Sequence, residues 1–547
     1  MKPYARHTIN RVQTPQSTKV PGVKKQVRNS AGGISFKISK LDYMKRFLML
    51  GTEGGTYYVN ERKLTIDAAK NVETCINKGG TEIVDLIVEI STQGRASNND
   101  AAIFCLAIAV SCKDAKVRKY ALTKIPEVCR IGTHLFTFMA YVKTMRGFGR
   151  GLKQGIAKWY TDKHIDSLAY QVLKYQQRDG WEHRDVLRLC HAMPINEEQN
   201  KLFSYIVGKR DTVPKVSGYA VGVREIQEGN KNYSKLIYEY NLTREVIPTE
   251  ALNNKDVWEA LLQNMPMTAL VRNLGKMASM QLHVPFTKHA ENSLNLTISK
   301  LTDPIAISRS RIHPIALMNA LLVYKQGHGI KGSLKWEPNG KVCDALEEAF
   351  YMSFDSIEPT GKNIMLALDV SGSMSWEGIA GLHMNCREAS AILAMATMRT
   401  EPNTFIAGFT SAGSNGYSDP NTSRGYGRGG ISMLPITAKQ DLTSVVKSIS
   451  DLDFGATDCS LPMLYCIKKN IDVDAIVIYT DNETWSGNIH PWQALEKYQD
   501  KVGHEVKLVV VGMTATRFSI AKPDAPNMLD VVGFDTNTPA AISNFIR

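Results

Sequence analysis

Several features that would assign this chain to a specialised class are missing from its 547 residues. No apolar run approaches the roughly 20 residues that span a bilayer, and the N-terminus has no apolar signal-peptide core. We therefore expect neither a membrane partner nor export. The nine cysteines form no CxxC pair and are odd in number, which favours reduced, buried thiols over disulfides or a zinc site. These absences predict a cytoplasmic protein, nuclear as well if the source is eukaryotic.

The common catalytic and nucleotide-binding motifs are also missing. There is no GxSxG elbow, no P-loop and no HExxH. In "GFGRGL", Leu152 stands where a dinucleotide fingerprint needs its third glycine, and no strand is predicted before it. A hydrolase would need a nucleophile or a general base, and the sequence assembles neither. We predict that the chain is not an enzyme.

Acidic residues are too few in the first two thirds of the chain to balance its Lys and Arg. The net charge is +13, but residues 1–360 carry +17 and residues 361–547 carry −4. A basic part joined to a slightly acidic part indicates that the first meets a polyanion. The alternative is that Lys and Arg only solvate helix surfaces. The length predicts two to four domains.

Helical periodicity organises residues 36–360. "NERKLTIDAAKNVETCINKG" opens with a capping Asn and ends at Gly79-Gly80, and further segments of about 15 residues follow with apolar positions at 3.6 spacing. Helices joined by short breaks stack in antiparallel pairs, which predicts a HEAT-like solenoid. Residues 1–35 have seven Lys/Arg, no acid up to Ser30 and several Pro. We interpret them as a basic flexible arm, although a plain disordered tail fits equally well.

The pattern changes in residues 361–547. The apolar runs "NIMLALDV", "NTFIAGFT", "DAIVIYTD" and "VKLVVVGM" alternate with helical segments. Buried strands alternating with helices predict a doubly wound parallel sheet, and ligands of such sheets bind at the carboxyl ends of the strands. The predicted fold class is α + α/β, a helical module followed by this sheet.

Oxygen-bearing side chains gather at the predicted ends of two strands. They form a DxSxS element after the first strand, an acid ending "AIVIYTD" and a hydroxyl in "FGATDCS": Asp369, Ser371, Ser373, Asp481 and Thr457. Hard oxygen ligands suit a divalent metal, above all Mg²⁺. The set resembles the metal-ion-dependent adhesion site of von Willebrand factor A domains, which implies ligation of an external oxygen. Alternatively, Asp369 caps a helix and the serines satisfy a tight turn.

The densest cationic segment runs from Met145 to His191. Its cations are Arg146, Arg150, Lys153, Lys158, Lys174, Arg178, Arg184, Arg188 and His191, interleaved with Trp159, Tyr160, Tyr170, Tyr175 and Trp181. Cations neutralise phosphates and aromatic planes stack on unpaired bases. On a helix, Lys174 and Arg178 would project from one face, as would Arg184 and Arg188. The aromatics are alternatively core residues, and the cations a solvated face.

Longer motifs carry a more specific resemblance. "FLMLGTEGGTYYV", "VCRIGTHLFTF", "KYQQRDGWEHRDVLRL", "MPMTALVRNLGKM" and "RIHPIALMNALLVYKQGHG" resemble the TROVE module of Ro ribonucleoprotein autoantigens. "EPTGKNIMLALDVSGSM" and "GATDCSLPM" resemble the A domain that follows it. Agreement runs from about residue 41 to the C-terminus and is poor at about 195–250. The resemblance implies a monomeric ring of HEAT-like helices closed by the A domain.

In that family, small noncoding Y RNAs bind the outer basic surface, and single-stranded 3′ ends of misfolded RNAs enter the central hole, for RNA quality control. By motif, this implies RNA contacts for the cations of the dense segment and for two residues nearer the ring interior: Arg150, Lys153, Lys174, Arg178, Arg184, Arg188, His191, Arg130 and His134. An exoribonuclease is a further expected partner. The alternative function is a metal-dependent adhesion scaffold that captures an acidic protein partner, its basic charge being incidental.

Overall fold

The computed structural model describes residues 13–50, 66–96, 98–284, 288–329, 332–354, 358–375, 384–411, 430–450, 452, 455–533 and 535–547. The chain forms two compact units. Unit 1 joins Met1–Lys63 to Ser356–Arg547, and unit 2 is Leu64–Asp355. The N-terminal residues therefore belong with the C-terminal part of the chain.

The N-terminal part of unit 1 is folded from residue 13 onward, which differs from the flexible arm expected for residues 1–35; residues 1–12 lie outside the described part. It contains β1 (Gln26–Arg28), β2 (Ile34–Lys37) and α1 (Lys40–Leu50). Val20 and Phe36 are buried against Trp492, and burial of this apolar surface offsets the entropy of ordering a polar segment.

The described part of unit 2 is helical apart from one short hairpin and an isolated bridge between His328 and Lys335. Its elements are α2 (Ile66–Gln93), α3 (Asp100–Ala109), α4 (Ala115–Thr123), α5 (Ile125–Val128), α6 (Gly132–Met145), α7 (Arg150–Thr161), α8 (Ile165–Lys174), β3 (Gln177–Arg178), β4 (Trp181–Glu182), α9 (His183–Cys190), α10 (Glu197–Ile206), α11 (Gly218–Gln227), α12 (Tyr233–Tyr240), α13 (Lys255–Asn264), α14 (Met267–Ser279), α15 (Lys288–Leu301), α16 (Pro304–Ser310), α17 (Pro314–Lys325) and α18 (Gly340–Met352).

The helices of unit 2 pack mainly on helices close to them in sequence. The pairs α2–α3, α11–α12, α12–α13 and α17–α18 make extensive contacts, as expected for stacked helical repeats. The helix end predicted at Gly79-Gly80 corresponds to a kink in α2, where Gly80 has a non-helical φ of +60°. The stretch at about 195–250, which the sequence left undefined, contains α10, α11 and α12.

The C-terminal part of unit 1 alternates strands and helices. Its elements are β5 (Ile364–Asp369), α19 (Cys386–Thr400), β6 (Thr404–Phe409), β7 (Ile431–Met433), α20 (Leu442–Ser450), α21 (Leu461–Lys469), β8 (Ala475–Thr480), α22 (Pro491–Val502), β9 (Lys507–Gly512), β10 (Phe518–Ser519), β11 (Met528–Val532) and α23 (Thr538–Ile546). Six strands form one sheet in the order β11-β9-β8-β5-β6-β7, parallel except for β7. β10 pairs instead with β2, which also pairs with β1.

Both faces of the central strands are covered, which explains their continuous apolar runs. On one face, Met365 and Ile478 pack with residues of α21 and α22. On the other, Tyr479 of β8 lies 3.5 Å from the Thr397 hydroxyl of α19. The α-helical module and the doubly wound sheet predicted from the sequence are both confirmed.

Two further features agree with the composition. All nine cysteines are free thiols, and eight of them are buried. Among the described residues, no helix is long and apolar enough to cross a membrane.

Candidate functional site

The two acids of the predicted metal site lie at the same edge of the sheet. β5 ends at Asp369, and Asp481 directly follows the last residue of β8. The strands are parallel neighbours, with Leu368 opposite Tyr479, so their carboxyl ends meet. The five predicted ligand residues are buried, with exposures of 6% or less.

Backbone hydrogen bonds hold the three ligand-bearing loops together. The Gly372 amide donates to the Gly455 carbonyl at 3.2 Å, which joins the DxSxS loop to the loop of Thr457. The amides of Trp485 and Ser486 each donate to the Thr457 carbonyl at 3.1 Å, which joins that loop to the one after Asp481. Residues from three distant parts of the sequence thus form one polar cluster.

Both oxygens of Asp369 have protein partners. Its Oδ1 accepts from the Ser371 amide at 3.0 Å, so the local turn of the alternative interpretation does form, and its Oδ2 accepts from the Thr480 hydroxyl at 2.7 Å. The Ser371 and Ser373 hydroxyls are 3.1 Å apart. Each carboxylate oxygen can accept more than one bond, so these contacts orient Asp369 and still leave lone pairs that can bind a metal ion. Thr480 was missed in the sequence; its place just before Asp481, at the end of a neighbouring strand, could have indicated it.

Asp481 is less completely satisfied. Its Oδ1 accepts from the Glu483 amide at 3.0 Å, whereas its buried Oδ2 accepts no hydrogen bond from the described part of the chain. Burial raises the pKa of Asp481 well above its usual range, and the carboxylates of Asp369 and Glu483 raise it further, while the Ser373 hydroxyl opposes them. Burial also raises the pKa of Asp369. Burying a carboxylate whose second oxygen accepts no hydrogen bond is unfavourable, and a bound cation would offset that cost.

The donor set therefore fits a hard divalent cation. Two carboxylates and three hydroxyls are the oxygen ligands that Mg²⁺ accepts while keeping bound waters. Within the described ranges there is no cluster of three or more His, Cys, Asp or Glu that could hold a metal. The candidate centre depends instead on the hydroxyls of Ser371, Ser373 and Thr457 to complete its ligand set.

The basic segment of unit 2 presents most of its predicted cations to solvent. The exposed ones are Arg146, Arg150, Lys158, Arg178, Arg184, Arg188 and His191, and Lys153 is half-buried. α7 packs on α9, and α9 carries Arg184 and Arg188 four residues apart as predicted. Trp159 and Tyr160 are fully buried, so these two rings belong to the core and cannot stack on RNA bases.

The prediction that Lys174 and Arg178 share a helix face is wrong. α8 ends at Lys174, and Arg178 lies in β3 of the hairpin. Asp179 and Gly180 both have positive φ, 52° and 75°, which is the two-residue turn that Asp-Gly favours. The "DG" pair was therefore a readable hairpin signal.

The ammonium group of Lys174 is mostly buried and contacts other side chains of the protein. Its side chain is 10% exposed and its Nζ lies 4.0 Å from Glu245 Oε2. The Nζ also donates to the Tyr170 hydroxyl at 2.8 Å and lies 5.2 Å from the centre of the Tyr175 ring. Burial alone would lower its pKa, but the Tyr170 bond and the nearby acidic groups raise it. Lys174 is charged, and that charge is already partly compensated.

Arg130 and His134 are half-buried and close to further cations. The Arg130 guanidinium donates to the Ser91 carbonyl at 2.6 Å; burial and then the charge of Arg311 lower its pKa. Burial and the charges of Arg130 and Arg178 lower the pKa of His134 to about 4. The structure thus brings Arg130, His134 and Arg178 into one electrostatic neighbourhood.

Comparisons with known proteins agree with both units. Residues 363–546 match the family model described as the Ro60 vWA domain, and residues 27–222 and 234–321 match the TROVE domain. The RNA-binding protein RO60 of Deinococcus radiodurans is 36% identical over 98% of each chain. The RNA-binding protein RO60 of Caenorhabditis elegans is 34% identical over 95% of this chain and 90% of its own.

A solved structure extends the likeness to the fold. The crystal structure of the Deinococcus radiodurans RO (RSR) protein has a TM-score of 0.68 and 35% identity, and the match covers 93% of this chain and 99% of that one. Two family models together span most of the sequence, and relatives match it almost end to end. The chain therefore belongs to the Ro60 family, with a TROVE domain and a Ro60-type von Willebrand factor A domain.

Proposed function

We propose that this protein is a non-enzymatic RNA-binding component of a Ro-type ribonucleoprotein. The observation that carries the proposal is the set of exposed cations on α7, the hairpin and α9, in a family whose named relatives are RNA-binding proteins. Exposed Arg and Lys neutralise phosphates, which supplies affinity and positions a nucleic acid without reading its sequence.

The RNA ligands we propose are small structured noncoding RNAs of the Y type, and misfolded RNAs with single-stranded 3′ ends. The exposed group on α7 and α9 suits the phosphates of a structured RNA. The half-buried Arg130 suits a single strand, because burial strengthens its charge–phosphate contact. His134 beside it has a pKa lowered to about 4, so it is neutral at pH 7 and contributes only as an uncharged ring. Binding of both kinds of RNA would place the protein in RNA quality control, working with an exoribonuclease in the cytoplasm.

Unit 1 contributes a divalent-metal site, for which we propose Mg²⁺ held by Asp369, Ser371, Ser373, Thr457 and Asp481. When bound, such an ion supplies positive charge to two buried carboxylates and a ligation point for an external oxygen. The chain's own residues orient the ligands: Thr480 fixes Asp369, and the Glu483 amide fixes Asp481. This geometry supports ligation and not catalysis.

A titration separates this function from the adhesion-like alternative, in which the metal site captures an acidic protein and RNA is incidental. The protein is titrated into labelled RNA with a structured stem and a 3′ single-stranded tail, with and without EDTA. We expect binding that weakens steeply as salt rises, with and without the metal. Absence of salt-dependent binding to either part of the RNA would contradict the proposal and favour the alternative.

A further inference from the structure

The N-terminal segment of unit 1 contacts the loops that carry the candidate metal ligands. Its residue Gln16 is completely buried. The Gln16 amide N–H donates to the Gly487 carbonyl at 2.9 Å, and its own carbonyl accepts from the Ile34 amide at 2.7 Å. The backbone at Gln16 is therefore pinned between the loop after Asp481 and strand β2.

The side-chain amide of Gln16 bridges two of the three ligand loops. Its Nε2 donates to Asp458 Oδ1 at 2.7 Å, and Asp458 is the neighbour of Thr457. Its Oε1 accepts from the Thr484 hydroxyl, three residues after Asp481, and its Nε2 also donates to the Ile489 carbonyl at 2.9 Å. One planar group thus fixes the position of the Thr457 loop relative to the Asp481 loop.

Other residues of the segment hold the Asp481 loop from the same side. The Asn29 side-chain Nδ2 donates to the Thr484 carbonyl at 2.7 Å, and the Ala31 backbone amide donates to Glu483 Oε2 at 3.0 Å. A side chain at Gly33 would collide with the Thr484 carbonyl, so the approach of the two backbones requires glycine there. The loop carrying Asp481 is therefore packed against residues from the opposite end of the chain.

We propose that the N-terminal segment, residues 13–37, is a structural part of the metal site, and that Gln16 is its positioning residue. This inference rests on the proposed metal site. Groups that orient metal ligands without touching the metal set its affinity, and their loss typically costs 10- to 100-fold. Docking of the segment and binding of the metal are then linked, so each strengthens the other by the same factor.

The first test compares Gln16→Leu with Gln26→Leu. The Gln26 side chain makes three hydrogen bonds, all within the same segment, to the Val20 amide and the Val20 and Val23 carbonyls. It is a matched control because it loosens the segment without touching a ligand loop. We measure Mn²⁺ affinity by electron paramagnetic resonance and the melting temperature of each metal-free protein.

We expect Gln16→Leu to weaken Mn²⁺ binding about tenfold or more, and Gln26→Leu to leave it within about twofold. A purely structural role for Gln16 would lower the metal-free melting temperature of both variants and leave both affinities near the wild-type value. That result, or equal weakening by the two variants, would overturn the assignment of Gln16.

The second test uses the wild-type protein, so it stands even if a variant fails to fold. We expect Mg²⁺ to slow amide hydrogen exchange at Gln16 and Ile34 by about tenfold, as the linkage requires. Exchange in α23, which is tied to Glu401 through Ser543, should not change. Unchanged exchange at Gln16 while Mg²⁺ binds would refute the linkage. If the wild-type protein binds neither Mg²⁺ nor Mn²⁺, the proposed metal site itself is wrong, which is a different outcome from a metal that binds without affecting Gln16.

Discussion

Replacing Arg184 and Arg188 with glutamine removes two exposed charges from α9 and leaves the apolar packing of the helix intact. Arg184 pairs with Glu182 at 2.5 Å, but half of its side chain is exposed. Arg188 donates to the Val207 carbonyl at 3.1 Å at the surface. Surface contacts of this kind are worth about 1 kcal/mol or less, so we expect the double variant to fold.

The magnitude of its RNA defect follows from counterion release. Each lost phosphate contact flattens the slope of log K against log salt by about 0.9 for duplex and about 0.7 for single strands. Two contacts change the slope by about 1.4 to 1.8. A fourfold rise in salt, from about 50 to 200 mM, should then cost the wild type about 7- to 12-fold more affinity than the variant.

The assay is a gel-shift titration at four salt concentrations with an RNA that has a stem and a 3′ tail. Its control is Lys335→Gln/Lys341→Gln, which also removes two exposed charges from unit 2; Lys341 lies in α18, which packs on α15, α16 and α17. An unchanged slope in the α9 variant would refute the RNA-contact reasoning. Equal flattening in the control would show a general charge effect instead of a site.

Three further predictions concern buried polar groups. Asp481→Asn should abolish Mn²⁺ binding yet raise the metal-free melting temperature at pH 7, because the raised pKa of Asp481 shows that its charge is unfavourable in the fold; a lowered melting temperature would contradict this. Burial lowers the pKa of His283 to about 4. Below about pH 6.5 the unfolded state therefore binds a proton at this residue that the folded state does not bind, so the free energy of unfolding decreases as the pH falls. Urea unfolding should show about 2 kcal/mol lost between pH 7 and pH 5 from this residue, a loss absent in His283→Gln. Arg46 is fully buried and paired with Asp530 at 2.6 Å, so Arg46→Met should cost about 3–5 kcal/mol in chemical unfolding, whereas a cost below about 1 kcal/mol would show that the pair is dispensable.

The parts of the fold that were predictable are those whose signals are local. The strands are recognisable as continuous apolar runs because both of their faces are buried. Gly80 marks a helix boundary because it adopts a positive φ. The folded structure of residues 13–37 could not be predicted from the sequence. β2 pairs with Phe518–Ser519, some 480 positions away, and local composition carries no trace of such a distant partner. A basic, Pro-containing stretch then looks like a flexible arm.

The candidate metal site was predictable for a related reason. Asp369 and Asp481 each follow a strand of a parallel sheet, and the carboxyl ends of such strands lie at one edge, so the sequence predicts that both acids lie at that edge. The structure adds that their two strands are direct neighbours. What the sequence could not supply was the positioning of those ligands. Gln16 belongs to no motif, and Asp458 stands inside "GATDCSLPM" without a role that the sequence indicates; the hydrogen bond between them is seen only in the folded structure.

The basic segment shows why counting charges does not identify a binding surface. Lys174 and Arg184 look equivalent in the sequence, but only 10% of the Lys174 side chain is exposed, against 51% for Arg184. A phosphate approaching Lys174 must compete with Tyr170 and Glu245 for the same ammonium group. The cost of that exchange cancels much of the gain, because the charge was already compensated before RNA arrived. Arg184 also has a carboxylate partner, Glu182 at 2.5 Å, but half of its side chain is exposed, so solvent screens that pair and a phosphate replaces it at little cost. Exposed arginines of this kind should therefore dominate the salt-dependent part of RNA affinity, while Lys174 holds the end of α8 near Glu245.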